Sequence, residues 1–416
     1  MSKLFPTVPL SQIAAISMGQ SPDSSTVNEL GAAGLPFLQG NAEFGEKHPS
    51  PKYSCIRPPR IGEMGATLIS VRAPVGQTNI ADRDYCIGRG LAAVKSSQYG
   101  PVLCRSIMAQ QAGALKKVSQ GTTFEAIGRD DLFSLLIPQI PPKEAEFIES
   151  ILDNLDTQIQ KTEALIAKLE KIKEGLLHDL LTRGIDKNGQ LRPSPKKAPE
   201  LYKEWSRGII PKNWAAATFQ EISSIIIDGT HYTPTYMESG VPFLRVTNLH
   251  NRDINLSKFR YISDREHKIL SARCNPRQGD ILLSKNGTVG IAKIVSWDWD
   301  FSIFVSLALI RLKDDSGVTP QFAELLINSP IVARQIAIQS KQGTVTNLHL
   351  EEIRKFIIPI PDLREQQNIV REVNTISTLI DKETDEREKL LSLKQGLSED
   401  LLSGKVRTLS MLKDAV

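Results

Sequence analysis

After Pro142 the apolar residues recur in alternating steps of four and three. The series is Ile148, Leu152, Leu155, Ile159, Thr162, Ile166, Leu169, Lys173, Leu176 and Leu180, apolar everywhere except Thr162 and Lys173. That period predicts a long helix over about 144–181 whose stripe is a coiled-coil seam rather than a globular helix face. A second run begins at Ile369, Val373, Ile376 and Ile380, falters at Glu383 and Arg387, and resumes at Leu390, Leu397 and Leu401. Asp362 is spaced from Glu365 as in a capping box, and Gly184 and Gly404 are matched stops. Either helix alone reads equally well as a packing element of its own domain. Two matched seams in one chain favour pairing with each other.

The repeat reaches beyond the helices. Gln120-Gly121-Thr122-Thr123 precedes LLIPQIPPKE and a run ending KEGLLHDLLTRGI, and Gln342-Gly343-Thr344-Val345 precedes FIIPIPDLRE and a run ending KQGLSEDLLSGKV. One constant offset carries Glu144 onto Glu365, Ile159 onto Ile380 and Leu180 onto Leu401. The remaining stretches echo each other more faintly. GLPFLQGN (Gly34–Asn41) resembles GVPFLRVTN (Gly240–Asn248), and GATLISVRAPVG (Gly65–Gly76) aligns without gaps on GDILLSKNGTVG (Gly279–Gly290). A unit this long is no solenoid repeat; it implies two similar modules, each a globular domain followed by a helix.

Between the helices the pattern is short apolar runs punctuated by Gly and Pro, which predicts strand-rich mixed domains, with a helix over about 100–117. The expected order is a first domain over 1–142, a long helix over 143–185, a polar Pro/Lys-rich linker over 186–205, a second domain over 206–361, a second long helix over 362–405 and a tail over 406–416.

Composition narrows the class. The chain has 416 residues, 40% hydrophobic and 24% charged, with a net charge of +4; these are ordinary values for soluble domains and permit a nucleic-acid partner without demanding one. No run approaches the ~20 apolar residues of a membrane span, and MSKLFPTVPL lacks the apolar core of a secretion signal. The four cysteines, Cys55, Cys86, Cys104 and Cys274, form no C-x-x-C pair, which fits a reducing cytoplasm better than a disulfide or zinc framework.

No catalytic motif is present: no phosphate loop, H-E-x-x-H or nucleophile elbow. The six histidines are scattered without metal-ligand spacing. No catalytic or metal-binding residue is therefore assigned. Two loops look like readers instead. Lys285, Asn286 and Thr288 follow an apolar run on a Gly-rich turn, and Arg72 and Gln77 occupy the matching loop. Cations, amides and hydroxyls suit phosphates and base edges, although an ordinary polar β-turn would look the same. Gln39 and Asn41, and their counterparts Arg245 and Asn248, complete the candidate set. Basic residues from Arg245 to Arg277, including Arg252, Lys258, Arg260, Arg265, Lys268 and Arg273, strengthen the case for the second domain.

These residues carry a family resemblance over essentially the full length. The paired Q-G-T to I-P-x-(x)-P-x-x-x-E passages (Gln120–Glu144, Gln342–Glu365) and the closing G-L-x-x-D-L-L segments (Gly175–Leu181, Gly396–Leu402) resemble the specificity subunits of type I restriction-modification systems. Asp228–Pro234 (DGTHYTP) and Pro211–Trp214 (PKNW) fit as well. The resemblance implies an α+β fold: two similar target-recognition domains separated by two long helices in an antiparallel coiled coil, with pseudo-twofold internal symmetry. The pairing would use Ile148, Leu152, Leu155, Ile159, Leu169, Ile369, Val373, Ile376, Ile380 and Leu390. It also implies double-stranded DNA and two methyltransferase subunits as partners, with restriction subunits joining in a cleaving complex. No cofactor falls on this chain; S-adenosylmethionine would belong to the methyltransferase, and ATP and Mg to the restriction subunit. The rivals are a protein-only scaffold and a stand-alone DNA methyltransferase or nuclease with an unrecognised motif.

Overall fold

The computed structural model describes residues 4–31, 33–119, 126–250, 253–340 and 347–408. The two QGT passages and Arg252 lie outside the described residues. The chain forms two compact units, one of residues 1–165 with 383–416 and the other of residues 166–382. The first long helix runs Pro142–Thr182 and the second Leu363–Ser403, so each contributes to both units. No helix among the described residues is long and apolar enough to cross a membrane.

In the first unit the continuous apolar run around Thr67–Ser70 is a strand with every residue buried. It sits in an antiparallel sheet ordered Ala14–Met18, Leu91–Ser96, Thr67–Ser70, Thr78–Ile80. A second sheet pairs Leu35–Leu38 antiparallel with Tyr53–Cys55 and parallel with Tyr85–Ile87. The helix expected over 100–117 is in fact two, Pro101–Gln110 and Ala112–Ser119. The break comes just ahead of Gly113, a residue that costs a helix interior about 1 kcal/mol.

The second unit repeats this topology. Its sheet is ordered Ser223–Asp228, Leu307–Leu312, Ile281–Ser284, Ala292–Ile294, and Val241–Leu244 pairs antiparallel with Arg260–Ile262 and parallel with Ser302–Ile303. The stretch expected to be a plain linker is ordered. Asp186 accepts from the backbone N–H groups of Asn188 (2.9 Å) and Gln190 (2.8 Å), and Tyr202–Trp205 forms a hairpin with Gly208–Pro211.

The long helices serve two kinds of packing. Ile148 and Leu152 belong to the apolar core of the first unit with Leu103 and Ile107, and Ile369 and Val373 to that of the second with Phe322 and Leu326. Between helices within the first unit, Leu155 and Ile159 cluster with Leu390. Asp156 pairs with Lys394, and Glu163 lies 3.9 Å from Arg387. Numbers rise on one helix as they fall on the other, so these two segments run antiparallel. Ile376 is buried, while Leu169 and Ile380 are only half-buried. The polar break at Arg387 thus faces a carboxylate. Burial and the nearby Glu46 carboxyl push Glu163 up to about 7, against the pull of Arg387.

The offset that matched Glu144 to Glu365 marks a clasp built twice. Fully buried Glu144 accepts from Arg407 and from the Thr408 N–H at 3.1 Å. Glu365 accepts from the Ile185 N–H at 2.8 Å, Trp214 Nε1 at 3.0 Å and Arg192 at 2.9 Å. Each glutamate sits in the first turn of one long helix, and its arginine follows the glycine stop of the other. Gly184 (φ 66°) and Gly404 (φ 77°) take the left-handed conformation that ends a helix and turns the chain toward the clasp. The expected capping box is only half formed: Asp362 accepts from the Glu365 N–H at 2.9 Å, while the Glu365 carboxylate is committed to the clasp.

Candidate nucleic-acid interface

In both units the same loop leaves the central strand. Ser70 Oγ accepts from the Gln77 N–H at 2.9 Å, and Ser284 Oγ from the Ile291 N–H at 2.8 Å. Gly76 and Gly290, both at positive φ, each return an N–H to the serine carbonyl at 3.0 Å. Arg72 and Asn286 occupy equivalent places and make equivalent bridges, to Ala126 and Asn347. One backbone therefore presents two different sets of side chains.

In the first unit the candidates gather at this end of the sheet. Arg72, Gln77 and Gln39 are exposed, and Asn41 Nδ2 donates to Gln77 Oε1 at 2.8 Å. In the second unit Thr288 is exposed and Asn286 half-buried. Asn286 Oδ1 and Arg245 Nε are buried without a hydrogen bond among the described residues, and such atoms call for a partner. The Arg245 and Arg260 guanidinium groups both lie against Tyr236, at 5.9 and 5.5 Å from its ring centre.

Two of the DNA-binding candidates, Asn248 and Lys285, point inward in this structure. Asn248 is buried, and its amide braces its own turn through the Arg245 N–H at 3.0 Å and the Lys258 carbonyl at 3.2 Å. Lys285 is buried with Nζ 2.8 Å from Asp228. Asp228 also accepts from Arg273 at 2.9 Å and faces His231 Nε2 at 3.2 Å. Burial alone would raise the Asp228 carboxyl, but the hydrogen bonds from Lys285, Arg273 and His231 overcome it and hold the group at about 2. A lysine so committed is structural in this conformation.

This hub was missed from sequence because Lys285 looked like a surface cation. A signal was available in the Asp228-Gly229 pair: a Cβ on Gly229 would lie 2.0 Å from the Ile303 carbonyl oxygen, so the strand end admits only glycine there. Among the described residues no group of His, Cys, Asp or Glu could hold a metal ion.

The same sheet order thus occurs in both units, each with a polar loop cluster at one sheet end. Residues 211–392 match the family model described as type I restriction modification DNA specificity domain. The chain is 38% identical over 169 residues to the MjaX type I restriction enzyme specificity subunit of Methanocaldococcus jannaschii, covering 40% of each chain. With the EcoBI specificity subunit of Escherichia coli it shares 22% identity over 298 residues, 70% of this chain and 61% of the relative. The chain thus spans less than two thirds of the length of these two relatives. The fold matches the crystal structure of the type I S subunit from M. genitalium, with a TM-score of 0.62, 15% identity and 96% of both chains covered.

Proposed function

We propose that this chain is the DNA-reading specificity subunit of a type I restriction-modification complex and is itself non-catalytic. The observation that carries this reading is the duplicated loop: the same hydrogen-bonded backbone after Ser70 and Ser284, with different side chains on each. A bipartite DNA site needs two such readers. In this reading the domains over 1–142 and 206–361 each take one half-site through Arg72, Gln77, Gln39 and Asn41, or through Asn286, Thr288 and Arg245. The long helices pair as an antiparallel coiled coil about a pseudo-twofold axis, set the spacing of the half-sites and dock two methyltransferase subunits. S-adenosylmethionine, ATP and Mg belong to the partner chains, and the complex works in the cytoplasm.

Exchanging residues 206–355 for the matching domain of another such subunit tests this reading. Methylation mapping should show one half-site changed and the other kept. If both halves change together, the readers are not independent. Binding of S-adenosylmethionine by the purified chain alone would instead favour a stand-alone methyltransferase.

A further inference from the structure

In the second unit, one slot of the fold holds a helix that none of the duplicated loop accounts for. Between Arg260–Ile262 and the central strand Ile281–Ser284, the chain forms the helix Asp264–Ser271, capped by Ser263. Its inner face is anchored: His267 and Cys274 are buried, and His267 Nδ1 lies 2.9 Å from Ser302 Oγ. Its outer face exposes Asp264, Arg265, Lys268, Ile269 and Ala272 at helical spacing, with Ile269 61% accessible. Just past the helix, Arg273 is tied to Asp228 and to the Gly229 carbonyl at 3.1 Å. The helix is therefore fixed to the same sheet end that carries Asn286 and Thr288. A recess of about 420 Å³ separates it from exposed Tyr232 and His231.

The first unit fills the same slot differently. Between Tyr53–Cys55 and Thr67–Ser70 it places Ile56-Arg57-Pro58-Pro59-Arg60, where paired prolines preclude a helix. Yet Ile56, Arg57 and Arg60 are all exposed, with Ile56 52% accessible. Both units thus present one isoleucine and two cations from one topological position. An exposed isoleucine between cations gains nothing from water. It matches a DNA groove, where the cations meet phosphates or guanine and the alkyl group meets a thymine methyl. On the helix, Arg265 and Lys268 outnumber the exposed Asp264, and within Ile56–Arg60 of the first unit Arg57 and Arg60 are the exposed charges, which argues against an apolar protein partner.

We propose that this slot is a second reading element in each domain, one that enters the major groove of duplex DNA as a helix in the second unit and as a Pro-rich extended segment in the first. The major groove is about 12 Å wide and admits a helix. Arg265 and Lys268 hold the backbone or a guanine. Ile269, with Tyr232 across the recess, discriminates at a thymine. The inference rests on the DNA-reading function proposed above.

The test uses the full chain assembled with its methyltransferase on libraries of the mapped target site. Ile269→Ala should alter base preference in one half-site only, by roughly 5–150-fold at one position. Lys268→Ala and Arg265→Ala should each either do the same or lower the salt slope of binding by about one. Arg57→Ala should act on the other half-site. All four side chains are exposed, and far-UV circular dichroism verifies that the variants fold. Unchanged preference and salt slope, with sequence-specific binding by the parent chain, would overturn this assignment alone. Absence of specific binding by the parent would overturn the underlying function. Loss of methyltransferase assembly with unaltered base preference would make the stripe a protein-docking face and likewise refute it.

Discussion

Lys285 and Val71 occupy the same place in the duplicated loop, and Asp228 and Met18 both precede the glycine that leaves the first strand of the sheet. One unit therefore fills with an apolar pair, Val71 packing in a core that Met18 flanks, the space that the other fills with a buried ion pair. Stranding one member of a buried pair typically costs about 3–5 kcal/mol, whereas replacing both by well-packed apolar residues is often neutral or stabilising. Lys285→Met leaves Asp228 with Arg273 and His231, so it should destabilise the second unit by less than that, about 1–3 kcal/mol, and the double variant Asp228→Met/Lys285→Val should recover most of it. Tryptophan fluorescence during guanidinium unfolding reads this cleanly, because Trp205, Trp214, Trp297 and Trp299 are the only tryptophans and all lie in residues 166–382. The effect has a pH signature. The Asp228 carboxyl is held at about 2 against an ordinary 3.8, so its stabilisation is complete above about pH 4 and is lost as pH falls toward 2. The double variant should lack that loss. None of this was legible locally, since the lysine meets its carboxylate only once the sheet has brought two distant strand ends together.

At the scale of elements, the helices were the most legible part, because a heptad is a local pattern. What the pattern could not divide was its purpose: Ile148, Leu152, Ile369 and Val373 face domain cores, while Leu155, Ile159 and Leu390 join helix to helix. Glu144 and Glu365 stood out through the constant offset, but their arginines did not, because Arg192 and Arg407 lie at unequal distances beyond Gly184 and Gly404. Glu365→Ala would leave Arg192 and Trp214 Nε1 without their acceptor and should cost about 3–5 kcal/mol in the same fluorescence assay; a loss under 1 kcal/mol would show the clasp to be incidental. Glu163 should behave in the opposite way. Its carboxyl sits near 7 against an ordinary 4.5, so the folded state binds its proton more tightly, and its contribution to stability grows as pH falls from about 7 toward 4.5. Glu163→Gln should abolish that gain and leave stability at pH 8 equal or higher, despite the loss of Arg387 as a neighbour. Denaturant midpoints at pH 5 and 8 decide it.

For the whole molecule, the two-domain organisation followed from the internal repeat, whereas the way each long helix is shared between units is a matter of tertiary contacts that no linear pattern carries. If the helices set the distance between half-sites, adding four residues within Gln158–Glu170 lengthens one helix by about 6 Å. With a rise of about 3.4 Å per base pair, the spacer in the methylated site should grow by one base pair, at most two, with the bases of each half unchanged. An active complex that keeps its spacer would show that the helices do not measure it.

The sharing of the helices also orders events on the ribosome. Residues 166–382 are contiguous, so the second unit has all its own parts once that stretch has emerged. The first unit does not: its core includes Leu401 and Leu402, and its buried Glu144 is met by Arg407. Residues 1–165 must therefore wait for residues 383–408, with the flanks of Leu152, Leu155 and Ile159 open to other chains in the meantime. Stalled nascent chains whose emerged portion ends at residue 382 should show a protease-resistant second unit beside a protease-sensitive first one. Chains extended past Thr408 should show both resistant.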